Sequence, residues 1–264
     1  MKRVLSLVLI VVLCLAVFAG CKKSDDDWKY ISDKGKLVIG ITEYAPMNYY
    51  DTDGETLIGF DTEFANAVCA KLGITPEFVV IEWDTKETEL ASKKIDCIWN
   101  GLTVKEDRKA NMDFSSSYLL NEQVVVIRSA DASKFSDAAS FKDVTVAAES
   151  GSAGADAVTT DLPDAKLVEV SAQSDALLEV KAGTADAAVI DVTMATSMTG
   201  EGTDYADLTI LTSIDLMDEE YAIGFRKQST AVAKFNTVIA DLSIDGTLAT
   251  IAAKYDLTDL LIVG

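Results

Sequence analysis

The sequence contains no histidine, and this absence limits the chemistry that it can carry out. Histidine is the commonest general base and a common zinc ligand, yet none stands among the 264 residues. Basic residues are also few, since 23 lysines and arginines face 43 aspartates and glutamates, a net charge of −20. Nucleic-acid binding needs basic patches. The composition therefore argues against zinc hydrolases and nucleic-acid partners, and we expect no metal site and no cofactor.

Cysteine is scarce, and its four positions do not form a metal-binding pattern. Cys14 and Cys21 belong to the N-terminal segment, while Cys69 and Cys97 fall on a predicted helix and a predicted strand. No pair has the C-x-x-C spacing of many metal and redox sites. We favour buried free thiols for Cys69 and Cys97, a common state of cysteine. A disulfide is the alternative in an exported protein.

Residues 1–20 have the pattern of a secretory signal peptide. Two basic residues precede an uncharged, mostly apolar run over 4–20 that ends in small residues before Cys21. The run is slightly short for a transmembrane helix of about 20 residues, and the alternative is an uncleaved anchor. The stretch "FAGC" resembles the bacterial lipobox, which implies a lipid on Cys21 and a polar membrane tether over 21–36. Both interpretations place the rest of the chain outside the cytoplasm, attached to a membrane.

From residue 36 onward, strand patterns alternate with helix patterns. Asp61 and Asp84 are candidate caps for two of the helices. The predicted strands cover 36–42, 76–83 and 95–102, and the predicted helices cover 59–73 and 84–94. Such a βαβαβ unit implies a parallel sheet with helices on its faces.

A second alternating series begins near residue 123. Its predicted strands cover 123–129, 143–149, 166–171 and 185–192. The segment 150–158 is a Gly/Ser turn that runs into a helix, and a further helix is predicted over 174–183. Two more helical stretches follow "YAIGFRK" near the end of the chain. The pattern indicates two similar α/β lobes. Open α/β sheets bind ligands at the carboxyl ends of their strands.

Seven motifs, taken in order, resemble the bacterial extracellular solute-binding proteins of the polar amino acid class, family 3. The resemblance covers about residues 37–256. Each motif alone is weak, whereas the ordered series behind a lipobox is specific. The motifs are "VIGITEYAPMNY", "GFDTEFANAVCAKLG", "IDCIWNGLTVKEDR", "MDFSSSY", "VAAESGSAG", "GTADAAVID" and "YAIGFRK".

The resemblance implies an α/β fold of the two-lobed, type II periplasmic-binding-protein kind, with two hinge strands and a ligand cleft between the lobes. Lobe 1 would comprise 37–120 and 219–264, and the inserted lobe 2 would comprise 121–218. The hinges would lie near 120–122 and 216–220. The implied function is that of the extracytoplasmic substrate-binding component of an ABC importer, which binds a polar L-amino acid by hinge closure. Its implied partners are the free amino acid, the permease with its cytoplasmic ATPase, and membrane lipid.

A zwitterion in a cleft needs a partner for each charge, because an unpaired buried charge is costly. Arg108 offers a planar fork for a carboxylate and resembles the family's carboxylate-binding arginine. Backbone N–H groups at a helix start would add to it. The resemblance assigns Thr103, Ser152 and Ala153 to the carboxylate, and Asp191 and Gly101 to the ammonium. Plainer alternatives are a solvated charge for Arg108, an ordinary turn for 151–154 and a helix cap for Asp191.

The residues that would contact the ligand's side chain are Glu43, Tyr44, Trp99 and Asn100. Tyr44 resembles the family's stacking aromatic residue, whereas Trp99 and Asn100 replace smaller or less polar residues of many relatives. Met47 and Trp83 are further candidates, and core packing is an equal alternative for Trp83.

Two other classes of function remain as alternatives. Some relatives on this fold are dehydratases or peptidoglycan-cleaving enzymes, which need a positioned acid or base, and Glu43 and Glu149 are the acidic candidates. The second alternative is a surface adhesin or a sensor domain. We expect a binding protein rather than an enzyme, because the sequence has no histidine and no nucleophile motif.

Overall fold

The computed structural model describes residues 26–262. The strands are β1 (Lys36–Ile41), β2 (Tyr49–Tyr50), β3 (Leu57–Ile58), β4 (Thr75–Val80), β5 (Cys97–Ile98), β6 (Met112–Phe114), β7 (Leu119–Arg128), β8 (Thr145–Glu149), β9 (Lys166–Val170), β10 (Ala187–Asp191), β11 (Leu208–Ile210), β12 (Asp218–Tyr221) and β13 (Gly224–Arg226). The helices are α1 (Asp27–Lys34), α2 (Phe60–Leu72), α3 (Lys86–Ala91), α4 (Glu106–Lys109), α5 (Ala153–Asp161), α6 (Gln173–Ala182), α7 (Val192–Met198), α8 (Ala231–Ile244) and α9 (Thr247–Lys254).

The first sheet has the strand order β4-β1-β5-β13-β6. Strand β1 runs parallel to β4 and β5, as a βαβαβ unit requires, whereas β13 pairs antiparallel with β5 and β6. Since β13 comes from the end of the chain, this sheet combines the two ends of the described sequence. Helices α2 and α8 contact each other, as do α2 and α9.

The second sheet has the order β11-β7-β10-β8-β9. Strand β8 lies parallel to β9 and β10, and β7 lies antiparallel to β10 and β11. The first half of β7 pairs instead with β12, with Glu122 opposite Asp218 and Leu119 opposite Tyr221. Two antiparallel strands therefore connect the two sheets, and the predicted two-lobed α/β fold is confirmed. The lobe boundaries and hinge positions stay predictions.

Three local expectations about elements need correction. Asp61 does not cap α2, because its fully buried carboxylate accepts hydrogen bonds from Gly101 N and Tyr118 Oη instead. Asp84 does not cap α3, which follows a 3₁₀ turn over Trp83–Thr85 and has no side-chain cap bond. The strand expected over 95–102 is reduced to β5, because the chain turns away at its polar end.

Part of the segment predicted as a tether belongs to the fold. Helix α1 follows the cap residue Asp26, and its Ile31 is fully buried. Asp27 forms an ion pair of 2.7 Å with Arg226 of β13. The signal peptide and Cys21 lie outside the described residues. Within 26–262, no helix is both long enough and apolar enough to cross a bilayer.

The core of the first lobe is rich in aromatic rings. Phe64 packs edge-on against Trp99 at 5.0 Å between ring centroids, and Phe235 of α8 approaches Trp99 at 6.4 Å. Cys69 and Cys97 are buried free thiols within this core, as the sequence indicated.

Candidate functional site

Arg108 lies on the short helix α4 with only 4% of its surface exposed. Its Nη1 donates to the carbonyl of Thr103 at 2.9 Å, and its Nη2 donates to the carbonyl of Gly151 at 3.3 Å. Burial lowers the pKa of Arg108 below its ordinary value. A guanidinium has five N–H donors in a rigid fork, so these two bonds orient the group between the lobes and leave donors for an anion.

The Gly/Ser turn before α5 faces Arg108 from the second lobe. Gly151 has φ +69, and a Cβ atom there would lie 3.0 Å from the Cα of Asp84 in the first lobe. Ser152 is the N-cap, with its Oγ accepting from Ala155 N at 3.1 Å. The backbone N–H of Ser152 was expected to point at the ligand, but it donates to the carbonyl of Glu149 at 3.1 Å. The turn therefore places Ala153 and the start of α5 beside the guanidinium.

Gly101 and Thr103 follow β5, where the sheet becomes polar. Gly101 has φ +56, and a Cβ atom there would lie 2.7 Å from the ring of Tyr44. The hydroxyl of Thr103 donates to Glu219 Oε2 at 3.0 Å, while its carbonyl holds Arg108. Thr103 thus links the arginine to strand β12, and its hydroxyl oxygen is already engaged as a donor.

Asp191 ends β10 with 4% of its surface exposed. Its Oδ1 accepts from Asn121 Nδ2 and Gln123 Nε2, both at 2.6 Å. Gln173 donates to Oδ2 and accepts from the backbone N–H of Asp191 at 2.9 Å. These amide donors are neutral, so burial still raises the pKa of Asp191. The carboxylate is held in place without a cation among these partners.

Glu219 of β12 shares the amide donors of Asp191. Its Oε2 accepts from Asn121 at 2.9 Å and from Gln123 at 3.0 Å. Burial, and then the charge of Asp191, raise the pKa of Glu219 to about 7. Two carboxylates that share neutral donors repel each other when both are ionised. A positive charge placed beside this pair would be strongly favoured.

Two of the four residues predicted to contact the ligand's side chain lie elsewhere. Trp99 is fully buried against Phe64 and Phe235 in the core. Glu43 is exposed and does not line the cavity described below. The Trp99 ring faces the helices α2 and α8 because the chain turns at the end of β5, and the Glu43 side chain lies on the surface just after β1.

The other two candidates lie at the site with their polar groups engaged. Asn100 lines the cavity, but its Oδ1 accepts from the N–H and hydroxyl of Thr42, and its Nδ2 donates to the carbonyl of Thr42 at 3.0 Å. Tyr44 lies behind Gly101, and its hydroxyl bonds to Tyr221 Oη at 2.7 Å and to the hydroxyl of Thr193. These side chains shape the site and fix its backbone.

A cavity between the lobes joins these groups. Its volume is about 10 Å³ for spheres of the size of water, room for about one water molecule. An amino acid would therefore enter only when the lobes separate. The lining residues are Trp83, Asn100, Gly101, Thr103, Arg108, Gln123, Glu149, Ser152, Ala153, Gly154, Gln173 and Asp191.

Sequence reasoning did not assign Gln123, Gln173 or Gly154 to the site. Gln123 precedes a run of valines, and Gln173 is the first residue of a helix. A polar residue at the start of a predicted element was the one sequence signal that could have assigned them to the site. Glu149 was considered only as a candidate acid, and Trp83 was left between core and cavity. Within 26–262, no cluster of three or more carboxylate or thiol groups is arranged to hold a metal.

A larger groove of about 600 Å³ lies beside the connecting strands. Its charged residues are all acidic: Glu122, Asp218 and Asp256. It contains no basic side chain for a carboxylate, so we assign the amino acid to the smaller cavity, where both signs of charge occur.

Comparison with known proteins agrees with the two-lobed fold. The family model of the bacterial extracellular solute-binding proteins, family 3, matches residues 37–258. The arginine-binding extracellular protein ArtP of Bacillus subtilis (strain 168) is 29% identical over 258 residues, which cover 94% of this chain and 96% of that protein.

Two solved structures extend the comparison. A substrate binding protein of an ABC uptake transporter from Streptococcus pneumoniae, with bound histidine, has a TM-score of 0.82 and 30% identity. That match covers 91% of this chain and 100% of the other. The ancestral amino acid-binding protein AncCDT-1, a precursor of cyclohexadienyl dehydratase, has a TM-score of 0.78 and 28% identity over 86% of this chain and 98% of the other.

Proposed function

The chain belongs to family 3 of the bacterial extracellular solute-binding proteins, and from this premise we propose that it binds one free polar L-amino acid between its lobes for an ABC importer. The observation that carries the proposal is one cavity that is lined both by Arg108 of the first sheet's lobe and by Asp191 of the second. Arg108 receives the α-carboxylate, with help from the start of α5. Asp191 receives the α-ammonium, and the carbonyl of Gly101 accepts from it.

Closure of the lobes follows from this division of contacts. A ligand held at one end by Arg108 and at the other by Asp191 contacts both lobes only when they are together. Its affinity therefore differs between open and closed forms, which is the condition for shifting that equilibrium. Hinge closure around a ligand is the behaviour of periplasmic binding proteins in general. Here the hinges are β7 and β12, and the lobes divide near 120 and 219.

The proposed partners follow from the family and the N-terminal sequence. The closed form presents the amino acid to permease subunits that are driven by a cytoplasmic ATPase. Residues 1–20 act as a lipoprotein signal peptide, and a lipid on Cys21 attaches the protein to the outer face of a cell membrane. The acidic chain, with its net charge of −20, stays soluble and self-repelling at that surface.

We propose binding without turnover. ArtP and the histidine-bound protein are both named for binding. Of the two acidic candidates for catalysis, Glu43 is exposed and away from the cavity. The dehydratase alternative would gain support if the purified protein converted a bound amino acid or related acid into a product.

The function is tested by a thermal-shift screen of the twenty amino acids together with cystine and ornithine. A cognate ligand raises the melting temperature, because binding at a hundredfold excess over Kd adds about 2.7 kcal/mol to the free energy of unfolding. Arg108→Ala should abolish most of the shift, because the carboxylate then lacks its charged partner.

Lys109→Ala is the matched control. Lys109 is the next residue on α4 and is exposed, with an ion pair to Glu106 at 2.6 Å. This variant should keep the full ligand-induced shift. A full shift in Arg108→Ala, or no shift with any amino acid in the wild type, would contradict the proposal.

A further inference from the structure

Glu149 is a buried carboxylate that the binding of an amino acid backbone does not use. It ends β8, beside the parallel strand that ends in Asp191. Only 3% of its surface is exposed, and it lines the cavity. Within the described residues, its Oε1 has no hydrogen-bond partner. A buried acceptor without a partner costs about 1–3 kcal/mol, and more when charged, so this position calls for a donor from the ligand.

The charges around the cavity do not balance for a neutral ligand side chain. Arg108 and Asp191 pair with the α-carboxylate and α-ammonium and cancel. Glu149 and Glu219 then remain against one buried cation, Lys86. The ammonium of Lys86 donates to the carbonyls of Trp83 at 3.0 Å and Gly151 at 2.9 Å. With both glutamates ionised, a zwitterion leaves the site one negative charge in excess.

We infer, on the basis of the proposed function, that the ligand is an amino acid with a positively charged side chain and that Glu149 receives that charge. A guanidinium or ammonium group would donate to Oε1 and bring the buried site to neutrality. Charge-assisted hydrogen bonds of this kind are about twice as strong as neutral ones. Breaking a buried charge pair by removing one member is correspondingly costly.

The protonation of Glu149 agrees with this geometry. Burial, and then the charge of Asp191, raise its pKa to about 8, while Lys86 acts in the opposite direction. The other charged group acting on it is Asp175, which also raises its pKa. A cationic side chain beside Glu149 would favour the ionised form and so gain the full ion pair.

The test compares ligands that differ in charge and by no more than one atom in length. Isothermal titration calorimetry measures the wild type with L-arginine against L-citrulline, and with L-lysine against L-norleucine. The wild type should prefer the charged member of at least one pair by at least about 30-fold, the lower range for breaking a buried charge pair. Glu149→Gln should reduce that preference to a few-fold, because the amide keeps the shape and loses the charge.

Glu169→Gln is the control, since Glu169 lies on the neighbouring strand β9 and is exposed. It should leave the preference unchanged. Equal affinities within each pair, tighter binding of a neutral or acidic amino acid, or an unchanged preference in Glu149→Gln would overturn the inference and leave the amino acid site standing. If no amino acid binds at all, the proposed function itself fails.

Discussion

At the scale of single residues, the site is a set of buried charges that neutral groups hold in position. Arg108 is oriented by two carbonyls, and Asp191 by the amides of Asn121, Gln123 and Gln173. Neutral donors reduce the cost of burying a charge and do not remove it. Part of the free-energy cost of burying these charges therefore remains in the ligand-free protein. Binding of a ligand that carries both signs of charge can offset it.

The buried carboxylates make stability depend on pH. Burial raises the pKa of Asp61 to about 7, against the opposing hydrogen bonds from Gly101 and Tyr118. The pKa values of Glu149 and Glu219 are raised as well, to about 8 and about 7. Each group binds a proton more tightly in the folded than in the unfolded protein, so their contribution is full below about pH 4 and is lost as pH rises to about 8.

We therefore expect the free energy of unfolding of the ligand-free protein to fall between pH 5 and 7. Asp61→Asn should flatten that slope by up to about 1.4 kcal/mol per pH unit, the value for one proton. Asp53→Asn is the control, because the pKa of the exposed Asp53 is lowered to about 2, outside this range. Urea unfolding at several pH values measures both. Equal slopes in Asp61→Asn and the wild type would refute the assignment.

Arg108, Asp191 and Gly101 line one cavity, and all three were candidates from sequence because each stands in a motif that resembles the family. The core position of Trp99 could not be predicted, since the ring that receives it, Phe235, comes from α8 far along the chain. The donors to Asp191 likewise lie 18 to 70 positions away. The local sequence pattern predicts the position of a residue within a helix or strand. Contacts from distant parts of the chain decide which groups its side chain faces.

At the scale of elements, the turn before α5 is a point where the two lobes are in contact. The carbonyl of Gly151 accepts from both Arg108 and Lys86 of the first lobe. A side chain at this position would press against the backbone of Asp84. Glycine at this position therefore favours lobe closure and also suits the positive φ.

Gly151→Ala separates these two requirements when it is compared with Gly183→Ala. Both glycines have positive φ, but a Cβ at Gly183 would meet nothing within 4 Å. Each variant should lose about 1 kcal/mol of stability. Only Gly151→Ala should also weaken amino acid binding, by about fivefold or more, because overpacking opposes closure. Calorimetric titration and urea unfolding measure the two effects, and equal affinities in both variants would refute the closure role.

Elements with strong periodicity were predictable, and α2, β8, α6 and α8 lie within a few residues of their expected positions. Helix α1 was not predicted, because the polar sequence over 21–36 suggested a tether. Ile31 is buried in the core, Trp28 packs edge-on against Phe235 at 6.5 Å between ring centroids, and Asp27 pairs with Arg226. The partner Arg226 lies 199 positions along the chain, so the sequence near α1 gave no sign of packing.

At the scale of the whole molecule, β7 and β12 are the path between two sheets whose strands otherwise pair within one lobe. Across the cleft, Lys105 also forms an ion pair with Asp156 of α5. The family resemblance implied that one lobe is inserted into the other, because the motifs occur along the chain in the family's order. Composition alone would have left two consecutive lobes equally acceptable.

The central claim is that an amino acid lies between the lobes, held by Arg108 and Asp191. It is tested most directly by a crystal structure of the protein grown with the amino acid that gives the largest thermal shift. We expect its α-carboxylate within about 2.7–3.2 Å of the Arg108 guanidinium and its ammonium at the same range from the Asp191 carboxylate. Ligand density in the acidic groove near Asp218, with the cavity between the lobes unoccupied, would contradict the account.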